Sequence, residues 1–176
     1  MKNEIQECFH SAIGDEKKGR KHKGLLVIQP DVQAAEEYIA KAKKNLELCQ
    51  MLKKDFVYKL PEEWYYTLYY CALAILSKCG VESRNQKCTA LFLKYLKEQK
   101  LIVYDSEFIE RITVYRSKEE TSQVDEREKA RYGSSLISKE VIARYEQMNL
   151  LCKKAIDQTE EIVFSKQELK IPKELL

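Results

Sequence analysis

The chain has 176 residues, 44% of them hydrophobic and 34% charged, which suits one folded domain with its own core and excludes a disordered chain. A formal charge of +3 does not by itself impose a nucleic-acid partner, so the clustering of charge matters more than its sum. Five glycines and three prolines leave long segments uninterrupted, which favours helices over an all-β fold.

In chain order, residues 4–13 predict a short amphipathic helix with Ile5, Cys8, Phe9, Ala12 and Ile13 at helical spacing, closed by Gly14 and Asp15. Lys17-Lys18-Gly19-Arg20-Lys21-His22-Lys23-Gly24 predicts a basic loop. The apolar patch from Gly24 to Ile28 is ambiguous and fits a short extended segment laid over the bundle. Asp31, after Pro30, is positioned to cap a helix over 32–53. Ala35, Tyr38, Ile39, Ala42, Leu46 and Cys49 form its apolar stripe, opposite lysines and glutamates.

Residues 61–79 predict the central helix. Pro61 suits a first turn, where a missing N–H costs nothing, and Glu62 and Glu63 favour that positive end. Trp64 to Leu76 carries apolar or aromatic groups on every face, so other helices must surround it. Gly80 suits the residue just past its end. Ser83 or Asn85 starts a helix with Cys88, Leu91, Phe92, Tyr95 and Leu96, ending near Gln99. Asp105 or Ser106 caps another with Phe108, Ile109, Ile112 and Tyr115. The stretch 117–129 is charged and polar, and 131–135 reads as a turn. Ser138 is expected to cap one long final helix ending by Phe164, followed by a loosely packed tail. The fold class is all-α: an antiparallel up-and-down helical bundle of four to five main helices. The organisation reads as an N-terminal helix and basic loop over 1–30, a bundle over 31–165 and a tail over 166–176.

Six cysteines without a CxxC pair, several on apolar helix faces, read as reduced thiols used as small hydrophobes. With two histidines, His10 and His22, no metal or cofactor site is expected. Motifs for phosphate-cradling loops, zinc hydrolases and serine hydrolases are missing. No secretory leader or apolar span is read, so a cytoplasmic location without membrane contact is the expectation.

Three basic clusters carry the functional reading. Arg84, Asn85, Gln86 and Lys87 sit at a helix start, where free N–H groups favour anions. The alternative is a solvated turn with a helix cap. Arg127, Lys129 and Arg131 precede Tyr132, a pairing that suits phosphate contact and base stacking, or else a charged helix end with one packed tyrosine. Residues 17–23 suit a nucleic-acid backbone or a solvated loop, and His22 suits a phosphate contact within it.

Residues 34–46, residues 64–93 and Arg127-Glu-Lys-Ala-Arg-Tyr-Gly133 together resemble the prokaryotic HEPN-domain family. The resemblance covers roughly 32–165. It implies a helical homodimer, descended from ribonuclease toxins that often pair with a small nucleotidyltransferase. Arg84-Asn85 matches the start of the family's catalytic motif, but the expected histidine is absent: Thr89, Ala90 and Leu91 stand at one set of corresponding positions, and Asn85 and Gln86 at the other. Without a group that titrates near neutrality the general base is missing, and Tyr69 or Tyr70 is a poor substitute. The resemblance therefore implies an RNA- or nucleotide-binding protein of weak or no activity. Its ligand contacts would be Arg84, Asn85, Lys87, Arg127, Arg131, Tyr132 and Tyr70, with any residual catalysis resting on Arg84 and Asn85. Two alternatives are an interaction subunit of a nucleotidyltransferase pair and an active metal-independent endoribonuclease.

Overall fold

The computed structural model describes residues 1–113 and 138–176, so the readings for Tyr115 and for 117–135 lie outside the described residues. Among the described residues the fold is all-α apart from one two-stranded ribbon. Its elements are α1 (Lys2–Lys17), β1 (Leu25–Val27), α2 (Val32–Asp55), α3 (Leu60–Cys79), β2 (Val81–Ser83), α4 (Gln86–Glu98), α5 (Ser106–Ile112), α6 (Ser138–Ala143) and α7 (Tyr145–Phe164). None of the described helices is long and apolar enough to cross a membrane.

The expected caps are in place. Asp31 accepts a hydrogen bond from the Ala34 N–H at 2.8 Å, and Asn85 and Asp105 do the same for α4 and α5. A 3-10 turn, Val57–Lys59, joins α2 to α3, and the two helices run antiparallel and pack along their length. Most of α3 is buried, including Trp64, Tyr65, Leu68, Ile75 and Leu76. Small Cys71, Ala72 and Ala74 let neighbours approach closely. Trp64 donates from Nε1 to Asn149 Oδ1 of α7 at 2.8 Å, which satisfies the one polar atom of a buried indole.

Gly80 ends α3 in the left-handed region, φ 78°, and its N–H bonds back to Leu76 and Ser77 carbonyls. A Cβ here would also lie 2.8 Å from the Ile28 carbonyl oxygen, so the site needs glycine twice over. Immediately beyond it, β2 pairs antiparallel with β1 in the register Leu25↔Ser83, Leu26↔Glu82 and Val27↔Val81. Bonds from Ile28 N to Gly80 O (2.9 Å) and Arg84 N to Gly24 O (3.2 Å) extend the ribbon at both ends. The ambiguous patch after Gly24 is thus a strand, three residues long and recognisable only with its partner.

Four further readings change. Helix α1 runs through Gly14 to Lys17; Gly14 has open space around it, and one helix-interior glycine costs only about 1 kcal/mol. The cysteines are not all reduced: Cys8 and Cys88 form a disulfide with Cα atoms 6.0 Å apart, while Cys49, Cys71, Cys79 and Cys152 are free and buried. The final helix is interrupted at Arg144 between α6 and α7. The tail is packed rather than loose, with Leu169 and Leu175 buried in the core and Glu174 bonded to Tyr95 and Gln6.

Gly24 lies directly against the backbone of α1. A Cβ added there would collide with the Cys8 carbonyl oxygen and sit 3.3 Å from the Ala12 nitrogen; neither atom can swing aside. Gly24→Ala is expected to lower stability by about 1–3 kcal/mol, as overpacking does. Gly14→Ala, in open helical space, is expected to raise it by roughly 0.5–1 kcal/mol. Guanidinium midpoints of the two variants should move in opposite directions.

Candidate functional site

The β1–β2 ribbon places two of the three basic clusters side by side. On the β1 side, Asp15 orders the loop: its carbonyl accepts from the Lys18 and Arg20 N–H groups, and its carboxylate accepts from the Lys23 N–H at 3.1 Å. Lys17, Lys18, Arg20, Lys21 and Lys23 remain exposed. On the β2 side, Arg84 is 44% exposed and donates from Nε to Glu82 Oε1 at 2.7 Å. The Lys87 ammonium meets Glu4 Oε1 of α1 at 3.2 Å, and that contact together with Met1 draws the Glu4 pKa down.

Asn85 is fully engaged. Its Oδ1 accepts from the Cys88 N–H at 3.1 Å, and its Nδ2 donates to the Lys23 carbonyl at 3.2 Å. The side chain both caps α4 and ties the basic loop to the turn. His22 differs from its reading as a phosphate contact. It is only 2% exposed, and its Nε2 lies 3.3 Å from Glu82 Oε1. One carboxylate oxygen therefore faces both His22 and Arg84.

Beside Arg84 runs a ladder of half-buried tyrosines on the one stripe of α3 that its neighbours leave partly open. Tyr70 stacks on Tyr38 of α2 with centroids 6.2 Å apart and on Tyr66 at 6.0 Å. Tyr69 stacks on Tyr65 at 5.7 Å. Lys41 Nζ lies 5.2 Å from the Tyr38 ring centre. Burial raises the Tyr38 phenol pKa, the charges of Glu82 and Glu37 raise it further, and Arg84 opposes them. Tyr69 and Tyr70 are also raised, chiefly by burial; a hydrogen bond with Thr89 partly offsets this at Tyr69. Less of each phenol is therefore ionised at neutral pH than in free tyrosine.

A cavity of about 310 Å³ opens between α4 and α5, with Ala90, Leu91 and Ile109 below Lys87, Lys94 and Lys97. Glu98 and Glu110 share its lining with the three lysines. Among the described residues, no group of three His, Cys, Asp or Glu side chains could hold a metal ion. Arg127, Lys129, Arg131 and Tyr132 lie outside the described residues. No protein-family model, curated protein or solved structure matches the chain.

Tyr38, Tyr66 and Glu82 belong to this site but are not singled out by the sequence. Tyr38 and Tyr66 read there as ordinary members of apolar faces. Tyr66 meets Tyr70 through the i,i+4 spacing of α3, whereas only the antiparallel register of α2 and α3 brings Tyr38 onto Tyr70.

Two outcomes are expected. Asn85→Ala removes the cap and should cost about 0.5–2 kcal/mol, and Asn85→Asp, which keeps the cap acceptor but sets a carboxylate oxygen against the Lys23 carbonyl, should recover only part of that loss; denaturant unfolding reads the difference. Burial pushes the Cys49, Cys71 and Cys79 thiols up to about 12 and raises Cys152 as well. The reactive thiolate is therefore scarce at pH 8. Native protein should leave these four unlabelled by iodoacetamide at that pH, as peptide mass mapping would report.

Proposed function

We propose that the chain is a HEPN-like protein that binds the phosphate backbone of single-stranded RNA without cleaving it. The observation that supports this most is the joining of the loop Lys17–Lys23 to the Arg84 turn by the Arg84 N to Gly24 O and Asn85 Nδ2 to Lys23 O bonds. Cations distant in sequence thereby share one surface. Glu82 holds Arg84 through Nε, a grip that orients the guanidinium while its terminal nitrogens suit a bidentate phosphate contact. The tyrosine ladder beside it offers ring faces for bases, a mode that tolerates any sequence.

The proton chemistry at hand supports binding over cleavage. Tyr69 and Tyr70 are raised away from neutrality. His22 is enclosed against Glu82, and both polar atoms of Asn85 are spent on the fold. None of these groups is placed to take a proton from a 2′-hydroxyl.

Fluorescence anisotropy with labelled single-stranded RNA at two or more salt concentrations tests the reading. Wild type should bind with an affinity that falls steeply as salt rises. Arg84→Ala should weaken binding roughly five- to twentyfold and reduce the salt slope by about 0.7, the share of one phosphate on a single strand. Tyr70→Ala should cost about 1–3 kcal/mol of binding if a base stacks there. Glu82→Gln, which removes a competing carboxylate, should tighten binding. Absence of binding at low salt, or an Arg84→Ala variant indistinguishable from wild type, would overturn the proposal.

A further inference from the structure

The Cys8–Cys88 bond links two helices 80 residues apart in sequence, and it sits where the N-terminal arm meets the candidate site. Cys8 lies on the buried face of α1 with Ile5, Phe9 and Ala12. Phe9 packs edge-on against Phe92 of α4 at 6.1 Å, and Gly24 presses on the Cys8 carbonyl. Cys88 is the third residue of α4, and its N–H is the one that Asn85 caps. The bond therefore fastens α1 to the same helical turn that carries Asn85 and Lys87. The other four cysteines are buried and unpaired, which leaves a single pair in bonding geometry.

We infer that Cys8–Cys88 is a reversible thiol–disulfide site that clamps α1, and with it the basic loop, onto α4. Its co-reactant class is a dithiol reductant. Cys8 and Cys88 are both buried in the closed form, so in the reducing direction a local opening of α1 admits the dithiol, one thiolate of which attacks Cys8 Sγ. The sulfur–sulfur bond breaks, a mixed disulfide forms on Cys8, and Cys88 leaves as a thiolate. Cys88 is the better leaving group, because it lies in the first turn of α4, where the helix N-terminus favours a sulfur anion. The second thiolate of the dithiol attacks the reductant's sulfur in the mixed disulfide and expels Cys8. The dithiol ends as a cyclic disulfide, and both cysteines take up protons. Two electrons pass to the protein in all, and the reverse sequence restores the clamp.

Reduction leaves α1 attached by apolar packing and by the Lys87–Glu4 and Gln6–Glu174 contacts. Its opening therefore becomes easier while α2, α3 and α7, which the bond does not touch, stay closed.

Two measurements test this without RNA, so failure here and failure of the RNA reading are distinguishable. The protein is first equilibrated with excess oxidised glutathione, freed of it, unfolded in guanidinium and titrated with Ellman's reagent. With six cysteines in the chain and one bond between two of them, four thiols should titrate before reduction with dithiothreitol and all six after. Peptide mapping should find the bond between Cys8 and Cys88. Six thiols before reduction, glutathione adducts in place of the bond, or a different pairing would overturn the inference. Hydrogen exchange then compares oxidised and dithiothreitol-reduced wild type. Amides of residues 5–12 should exchange roughly tenfold faster or more when reduced, with those of α3 unchanged. A Cys8→Ser/Cys88→Ser variant should match the reduced rate and ignore the reductant. Equal α1 exchange in oxidised and reduced wild type would equally overturn the clamp.

Discussion

The exit of the chain from α3 constrains everything around it. Because α3 is apolar on nearly every face, it can exist only inside a jacket of other helices, and the chain must leave that jacket through one tight corner. Gly80 supplies the corner with a left-handed backbone that also clears the Ile28 carbonyl. The residues that follow pair with β1 before they have travelled any distance. The N-terminal arm is thereby fastened to the end of the central helix, and α1, the basic loop and the start of α4 become neighbours. A bulkier residue at this corner would disturb the ribbon and the cluster of cations together.

Charge at the corner is organised in opposed pairs rather than heaped up. Glu82 holds Arg84, Glu4 meets Lys87, and Asp15 gathers the backbone of the lysine loop. Exposed pairs of this kind contribute little stability, typically about 0–1 kcal/mol each. Their effect is on position: flexible cationic side chains are restrained, so less conformational entropy remains to be lost when an anion arrives. The cost is a weaker field.

Local signals made much of the fold legible. Asp31 caps as its position predicts, Asn85 and Asp105 each prove to be one of the two cap candidates read for their helices, and Pro61 and Gly80 bracket the central helix as their backbone preferences require. What escaped prediction depends on partners far along the chain. Leu25 to Val27 is too short to read as a strand until Val81 to Ser83 lies beside it. Cys8 and Cys88 carry no spacing motif, and only the docking of α1 on α4 makes them neighbours. The break at Arg144 leaves no mark, because Val141, Tyr145 and Met148 continue one apolar rhythm across it. At the site, Arg84 and Lys87 were legible as cations at a helix start. The enclosure of His22 was not, since nothing in a lysine-rich loop distinguishes an imidazole turned inward to Glu82 from one turned outward.

The chain's single tryptophan has an optical consequence. Trp64 is 1% exposed, donates to Asn149, and has the Tyr145 ring 6.3 Å from its own. All intrinsic indole emission therefore originates at the seam between α3 and α7, shielded from water and distant in sequence from the N-terminal arm. A shift of that emission to longer wavelength reports loss of the central packing. Detachment of the arm with the seam intact would leave the spectrum unchanged, so the two events can be told apart with a fluorimeter and no added label.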